Sequence, residues 1–139
     1  MDVKEYSRLS RQLAQVIVQA YGKSPAVYDD LEEQVICAFT FGAHRAFSVD
    51  VGVQEWQSKL LMIELLHDIF GFPWEIAGNA LDFFVDCLEP DYSPAMNMVI
   101  HCGDDGYGLL HDQDELGAQL KEIVFIMGSK LEIDEGSEL

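Results

Sequence analysis

Apolar residues recur every three or four positions along most of this chain, which is the spacing of one face of an α-helix. In the first 22 residues Tyr6, Leu9, Leu13 and Ile17 follow this spacing, and Gly22 stands where a left-handed residue commonly ends a helix. The same pattern predicts further helices whose apolar positions span residues 28–49, 56–70, 76–88, 98–102 and 116–131. We therefore predict an all-α protein, a single compact bundle of about six helices.

Serine, proline and acidic residues mark where several of these helices begin. The Ser-Pro pairs at 24–25 and 93–94 each offer an N-cap followed by a proline, whose missing N–H is harmless at the first helical position. Asp112 followed by Glu115 has the spacing of a capping box. These signals predict that the second, fifth and sixth helices start at Ser24, Ser93 and Asp112.

The segment 98–111 admits two local structures. Gly103, Gly106 and Gly108 each cost a helix roughly 1 kcal/mol relative to alanine. Residues 98–102 and 107–111 could instead pair as a β-hairpin across the Gly-Asp-Asp-Gly turn. We favour a helix and keep the hairpin as the alternative.

Small residues are spaced by four in the second predicted helix, at Ala38, Gly42 and Ala46. This spacing lets a neighbouring helix approach closely, so we interpret it as a packing seam that, if exposed, would also allow a homodimer. The triplet Ser-Pro-Ala occurs at both 24–26 and 93–95, and Gly42 nearly aligns with Gly103 when the two halves are compared. These repeats suggest two related helix pairs.

Negative charge is concentrated toward the end of the chain. The net charge is −17 over 139 residues, of which residues 1–22 carry +1, residues 23–71 carry −5 and residues 72–139 carry −13. A chain of this length forms one domain, which we place at 1–131, followed by an acidic tail at 132–139 that is expected to fray. Such a concentration of like charge destabilises the folded state, so we expect a basic partner to neutralise it.

Composition excludes several classes of protein. Hydrophobic residues make up 49% of the chain, which excludes wholesale disorder. The phosphates of nucleic acids and anionic lipids would be repelled, and no uninterrupted apolar run is long enough to span a bilayer. Three cysteines without a CxxC pair predict free, buried thiols. Without a signal-peptide pattern at its start, the chain is expected to be a cytoplasmic protein that binds neither nucleic acid nor membrane.

The predicted partner-binding surface consists of carboxylates from the fourth helix and the connections that follow it, together with three aromatic residues of the types enriched in interface hot spots. Its residues are Asp82, Asp86, Glu89, Asp91, Asp104, Asp105, Asp112, Asp114, Glu115, Trp74, Tyr92 and Tyr107.

An alternative reading assigns the chain to the metal-dependent phosphohydrolases. Leu-Leu-His-Asp occurs at 65–68 and again at 109–112, and an adjacent His and Asp can both reach one divalent metal. His67 and Asp68 would then be joined by His44 and by Asp86 or Asp104. A simpler explanation places His67 near a helix C-terminus, where a positive imidazolium interacts favourably with the helix dipole. We expect no catalytic residue, no metal and no cofactor.

The chain resembles a known class of proteins in its small size, its strong acidity, its helical pattern and two distinctive segments. The segments are His-Asp-Ile-Phe-Gly-Phe-Pro-Trp at 67–74 and Gly-Asp-Asp-Gly-Tyr-Gly at 103–108. In these respects the chain resembles the immunity proteins of bacterial polymorphic toxin, contact-dependent and type VI secretion systems. The resemblance implies a cytosolic inhibitor that occludes a basic cognate toxin, such as a nuclease or another enzyme with an anionic substrate. An adaptor or chaperone for a basic effector is the remaining alternative.

Overall fold

The computed structural model describes residues 1–137, and its side chains through residue 130. That part of the chain contains six α-helices, here numbered in order: α1 Val3–Tyr21, α2 Asp30–Val51, α3 Glu55–Asp68, α4 Trp74–Asp86, α5 Pro94–Gly106 and α6 Gln113–Ser137. Two short 3-10 helices, Pro25–Val27 and Tyr107–Leu109, connect α1 to α2 and α5 to α6. The predicted all-α bundle of six helices is confirmed, and helix is the correct alternative at 98–106.

Helix α2 begins later than its Ser-Pro signal predicts. Ser24 makes no side-chain cap, and the pair at 24–25 starts only the first 3-10 helix. Asp29 caps α2 instead, because its carboxylate accepts from the Glu32 N–H at 2.8 Å and Glu32 accepts in return from the Asp29 N–H at 3.0 Å. These two reciprocal hydrogen bonds satisfy the backbone N–H groups of Asp29 and Glu32 at the start of α2. At α6, Asp112 accepts from the Glu115 N–H at 3.1 Å, as its spacing predicts.

Helix α2 is the central helix of the bundle. Every side chain from residue 35 to residue 44 is buried, so this helix is covered on all sides. Helices α1, α3, α5 and α6 pack against it, and α4 packs on α3. Cys37 and Cys87 are buried free thiols as predicted, whereas Cys102 is half-buried.

Glycines allow α2 and α5 to cross at backbone contact distance. A Cβ on Gly42 would lie 2.0 Å from the Ile100 carbonyl oxygen, and a Cβ on Gly103 would lie 2.1 Å from the Phe39 carbonyl oxygen. Each glycine thus meets the residue three positions before the other, so the contact is reciprocal. This packing outweighs the helix-propensity cost that made a hairpin plausible. The small-residue seam is a packing seam, in which Ala38 and Gly42 are buried and Ala46 is half-buried. That the chain forms a homodimer stays a prediction.

A polar cluster is buried between α1, α2 and α3. The Tyr6 hydroxyl lies 2.7 Å from Ser48 Oγ, and Ser58 donates to the same oxygen at 3.0 Å. His44 Nε2 lies 3.0 Å from Ser10 Oγ. His44 is completely buried, and burial lowers its pKa to about 4. The ring is therefore neutral at physiological pH and serves the packing of the three helices.

No helix within residues 1–137 is long and apolar enough to cross a membrane. Of the predicted tail at 132–139, residues 132–137 continue α6 and residues 138–139 lie outside the described part of the chain. That the tail frays stays a prediction.

Candidate partner-binding surface

The predicted carboxylates lie at the surface. Of the nine, eight are exposed and only Asp112, which caps α6, is half-buried. Exposure makes them accessible to another protein, but it also suits residues that merely keep a protein soluble. Their arrangement and their partners are therefore more informative than their exposure.

These carboxylates have no cationic partner within the described part of the chain. Its ion pairs all join residues at or before Asp68: Arg11 pairs with Glu64 and Asp68, Lys23 with Glu32, Lys59 with Glu55, and His67 with Asp68. Residues 72–122 contain eleven acidic side chains and one basic one. The negative charge of this region is thus not compensated within the fold.

Apart from Trp74, the predicted residues fall into two groups rather than one compact patch. The α4 group lies on α4 and the turn after it, and contains Asp82, Asp86, Glu89, Asp91 and Tyr92. The α5–α6 group lies on the last turn of α5, in the connection that follows and on the first turn of α6, and contains Asp104, Asp105, Tyr107, Asp112, Asp114 and Glu115. Helix α5 has 13 residues, so roughly 18 Å separate its two ends. The prediction from sequence treated the two groups as one surface, because the distance between the two ends of α5 cannot be read from the sequence.

Trp74 is an exposed aromatic residue held in a fixed position. Its indole stacks on the His67 ring at 3.8 Å between centroids, and 55% of the residue is exposed. His67 is itself fixed, because its Nδ1–H donates to the Phe72 carbonyl oxygen at 2.7 Å. A side chain held this way loses little freedom on binding, which favours an interface role for Trp74.

The other two aromatic residues differ from each other. Tyr92 is 58% exposed and rests edge-on against Phe83. Tyr107 is half-buried, its ring packs near Phe47, and its hydroxyl donates to Asp50 Oδ2 at 2.8 Å. Burial, together with this hydrogen bond and the Asp50 charge, raises the pKa of Tyr107. Tyr107 therefore positions Asp50 as well as contributing to the surface.

Two clefts adjoin the last turn of α2. The larger, which we call the apolar groove, has a volume of about 740 Å³ and is lined by residues that include Val3, Tyr6, Val53, Trp56 and Leu60. The smaller, which we call the acidic cleft, has a volume of about 420 Å³ and is lined by Arg45, Ala46, Val49, Asp50, Asp104 and Tyr107. Of the predicted site residues, Asp104 and Tyr107 thus share a cleft.

Several residues around these clefts were not predicted as site residues. Val49, Trp56 and Leu60 follow the helical period and were counted among the apolar positions that define their helices, yet they are 77%, 58% and 56% exposed. The spacing of apolar residues predicts a helix, but it does not show which face of that helix another helix covers. Asp50 carried no signal because its partner Tyr107 lies 57 residues away.

The hypothesised metal ligands do not come together. Within the described residues no three His, Cys, Asp or Glu side chains are arranged to hold a metal ion. His44 is buried in the core, Asp68 pairs with Arg11 at 2.7 Å, and His67 is hydrogen-bonded to Phe72. The His-Asp pair is used to pack α3 against its neighbours.

Comparison with known proteins gives one finding. A family model described as Immunity protein 48 matches residues 3–127, a range that includes every predicted site residue. No curated protein and no solved structure matches the chain.

Proposed function

The chain belongs to the Immunity protein 48 family, and from this premise we propose that it binds its cognate toxin directly and blocks the toxin's active site or substrate path. Membership of the family makes it an immunity protein of a toxin–immunity system with a toxin as its partner. The mode of binding is our proposal. Inhibition in this view is steric and electrostatic, and takes place in the cytoplasm.

The proposed partner is a basic toxin domain. The observation that carries this proposal is the set of uncompensated carboxylates in residues 72–122, since ion pairs occur elsewhere in the described fold but not here. Like charges that have no internal partner cost stability, and a cationic surface would remove that cost. A toxin that acts on nucleic acid or another anionic substrate has a basic active site, which an acidic inhibitor can occupy in place of the substrate.

The test is the salt dependence of association. The probe is a catalytically inactivated form of the cognate toxin domain, which is to be sought first among the genes that neighbour this one. Replacing Asp104 and Asp105 by Asn should slow association severalfold at low salt and reduce the dependence of the rate constant on ionic strength, because steering by charge weakens. The α4 group is tested in the same way with Asp82→Asn and Asp86→Asn.

A control variant separates local from overall charge. Asp30→Asn combined with Glu5→Gln changes the net charge by the same amount at exposed positions outside both the predicted surface and residues 72–122. If the control slows association as much as the Asp104 and Asp105 pair, net charge alone is responsible. If every neutralised variant associates as fast as the parent at low salt, the acidic surface is not where the toxin binds.

A further inference from the structure

The last turn of α2 stands between the apolar groove and the acidic cleft. Val51, Gly52 and Val53 line the groove, while Val49 and Asp50, the two residues immediately before them, line the cleft. The two clefts therefore both border the end of α2. The groove presents mainly apolar side chains, and the cleft presents the carboxylates of Asp50 and Asp104 together with the guanidinium of Arg45.

Large apolar side chains are exposed around this turn. Val3, Val49, Trp56 and Leu60 are each more than half exposed. Hydrophobic residues scattered singly on a surface are ordinary, whereas a contiguous apolar patch with a polar rim is typical of an interaction site. The groove has such a rim, since Asp2, Lys4 and Glu64 also line it.

The groove is preformed. The Trp56 indole N–H donates to Gln54 Oε1 at 2.6 Å, and the backbone N–H of Gln54 donates to Gln57 Oε1 at 3.1 Å. Tyr6, which lines the groove, is anchored through its hydroxyl to Ser48 and the buried polar cluster. Binding to a surface whose aromatic side chains are already ordered loses little conformational entropy.

We propose that the apolar groove receives an apolar side chain of the toxin, and that basic residues next to that side chain engage Asp50 and Asp104 in the acidic cleft. This inference rests on the proposed function and identifies where the toxin is anchored. Two carboxylates beside an apolar groove match a segment that carries an apolar residue next to Lys or Arg, because opposite charges then meet across the rim. A second copy of this chain fits less well, since each copy carries a net charge of −17.

The experiment measures dissociation of the inactivated toxin domain from Trp56→Ala and from Leu60→Asn. Phe125→Ala is the matched control, because Phe125 is a 74% exposed aromatic residue on α6 outside the groove. We expect Trp56→Ala to raise the dissociation rate constant about 30-fold, as for an interface hot spot, with the association rate constant and its salt dependence unchanged. Phe125→Ala should stay within about twofold of the parent, as most residues outside a hot spot do.

The outcomes distinguish this inference from the proposed function. If Trp56→Ala and Leu60→Asn dissociate as slowly as the parent while the Asp104 and Asp105 variant associates slowly, the groove is not the anchor and the acidic surface still binds the toxin. If the parent does not bind the toxin domain, the proposed function fails. If the chain alone is a dimer in solution and Trp56→Ala makes it a monomer, the groove holds a second copy and the inference is overturned.

Discussion

The crossing of α2 and α5 depends on two glycines, and replacing either by alanine tests how closely the helices approach. In Gly42→Ala the new Cβ would lie 2.0 Å from the Ile100 carbonyl oxygen, roughly 1.4 Å short of ordinary van der Waals contact. The obstructing atom belongs to the backbone of a packed helix, so no side-chain rotation relieves the contact. The two helices must separate, and every side chain packed between them loses contacts.

The expected magnitude follows from two opposing effects. Alanine in place of glycine inside a helix contributes about 1 kcal/mol of stability, whereas overpacking a core costs about 1 to 3 kcal/mol. Because a backbone atom must move, we expect a cost at the upper end of that range and a net destabilisation of about 2 kcal/mol. Gly78→Ala is the matched control, since Gly78 lies within α4 and a Cβ there meets no atom within 4 Å. It should stabilise the protein by about 1 kcal/mol.

Urea unfolding followed by circular dichroism at 222 nm measures both variants. The reciprocal geometry adds a second expectation: once one alanine has separated the helices, an alanine at Gly103 encounters less obstruction, so the double variant should lose less stability than the two single variants together. A midpoint for Gly42→Ala at or above that of the parent would refute the close approach. Additive losses would refute the view that both glycines serve the same crossing.

Three further predictions concern buried charge and the aromatic surface. Because the pKa of His44 is about 4 in the folded state, against an ordinary value of 6.5, its contribution to stability is complete above pH 6.5 and is lost as the pH falls toward 4. The difference in unfolding free energy between the parent and His44→Gln should fall by roughly 3 kcal/mol over that range, measured by urea titrations at each pH. For Glu32, burial alone would raise the pKa, but hydrogen bonds from Lys23, from a tyrosine hydroxyl and from a backbone N–H outweigh it and lower the pKa to about 2. Glu32→Gln should therefore cost about 2 kcal/mol at pH 7, and the cost should disappear as the pH is lowered from 4.5 to 2. Trp74→Ala should raise the dissociation rate of the toxin complex about tenfold without slowing association, and an unchanged rate would exclude Trp74 from the interface.

The helices could be predicted because their signals are local. Period, capping residues and glycine stops all act within a few positions of one another. Gly22 and Gly52 adopt the left-handed conformation directly after α1 and α2. The start of α2 was predicted wrongly because Asp29 and Glu32 form its capping box, whereas the Ser-Pro pair at 24–25 starts only a 3-10 helix. The hairpin alternative arose because Gly103 weakens a helix, and it fails because Gly103 contacts Phe39, a residue 64 positions earlier.

The candidate site was predicted only in its chemical character. An acidic, exposed surface follows from composition, since carboxylates without partners remain in water. Its shape does not follow, because that requires knowing that α5 holds the two acidic groups apart. The exposure of Trp56 and Leu60 could not be predicted either, because the apolar spacing of a helix is the same whether or not another helix covers that face.

The lack of ion pairs among the carboxylates of residues 72–122 has a consequence for how such a protein can diversify. Apart from Asp112, which caps α6, no side chain of the predicted acidic set forms a side-chain hydrogen bond or ion pair within the described fold. Residues that determine the shape of the bundle and residues that would select its target are therefore largely different residues. If the proposed acidic surface binds the toxin, substitutions of these surface carboxylates alone would adapt the protein to a different toxin. The glycine crossing and the apolar interior of the bundle would remain unchanged.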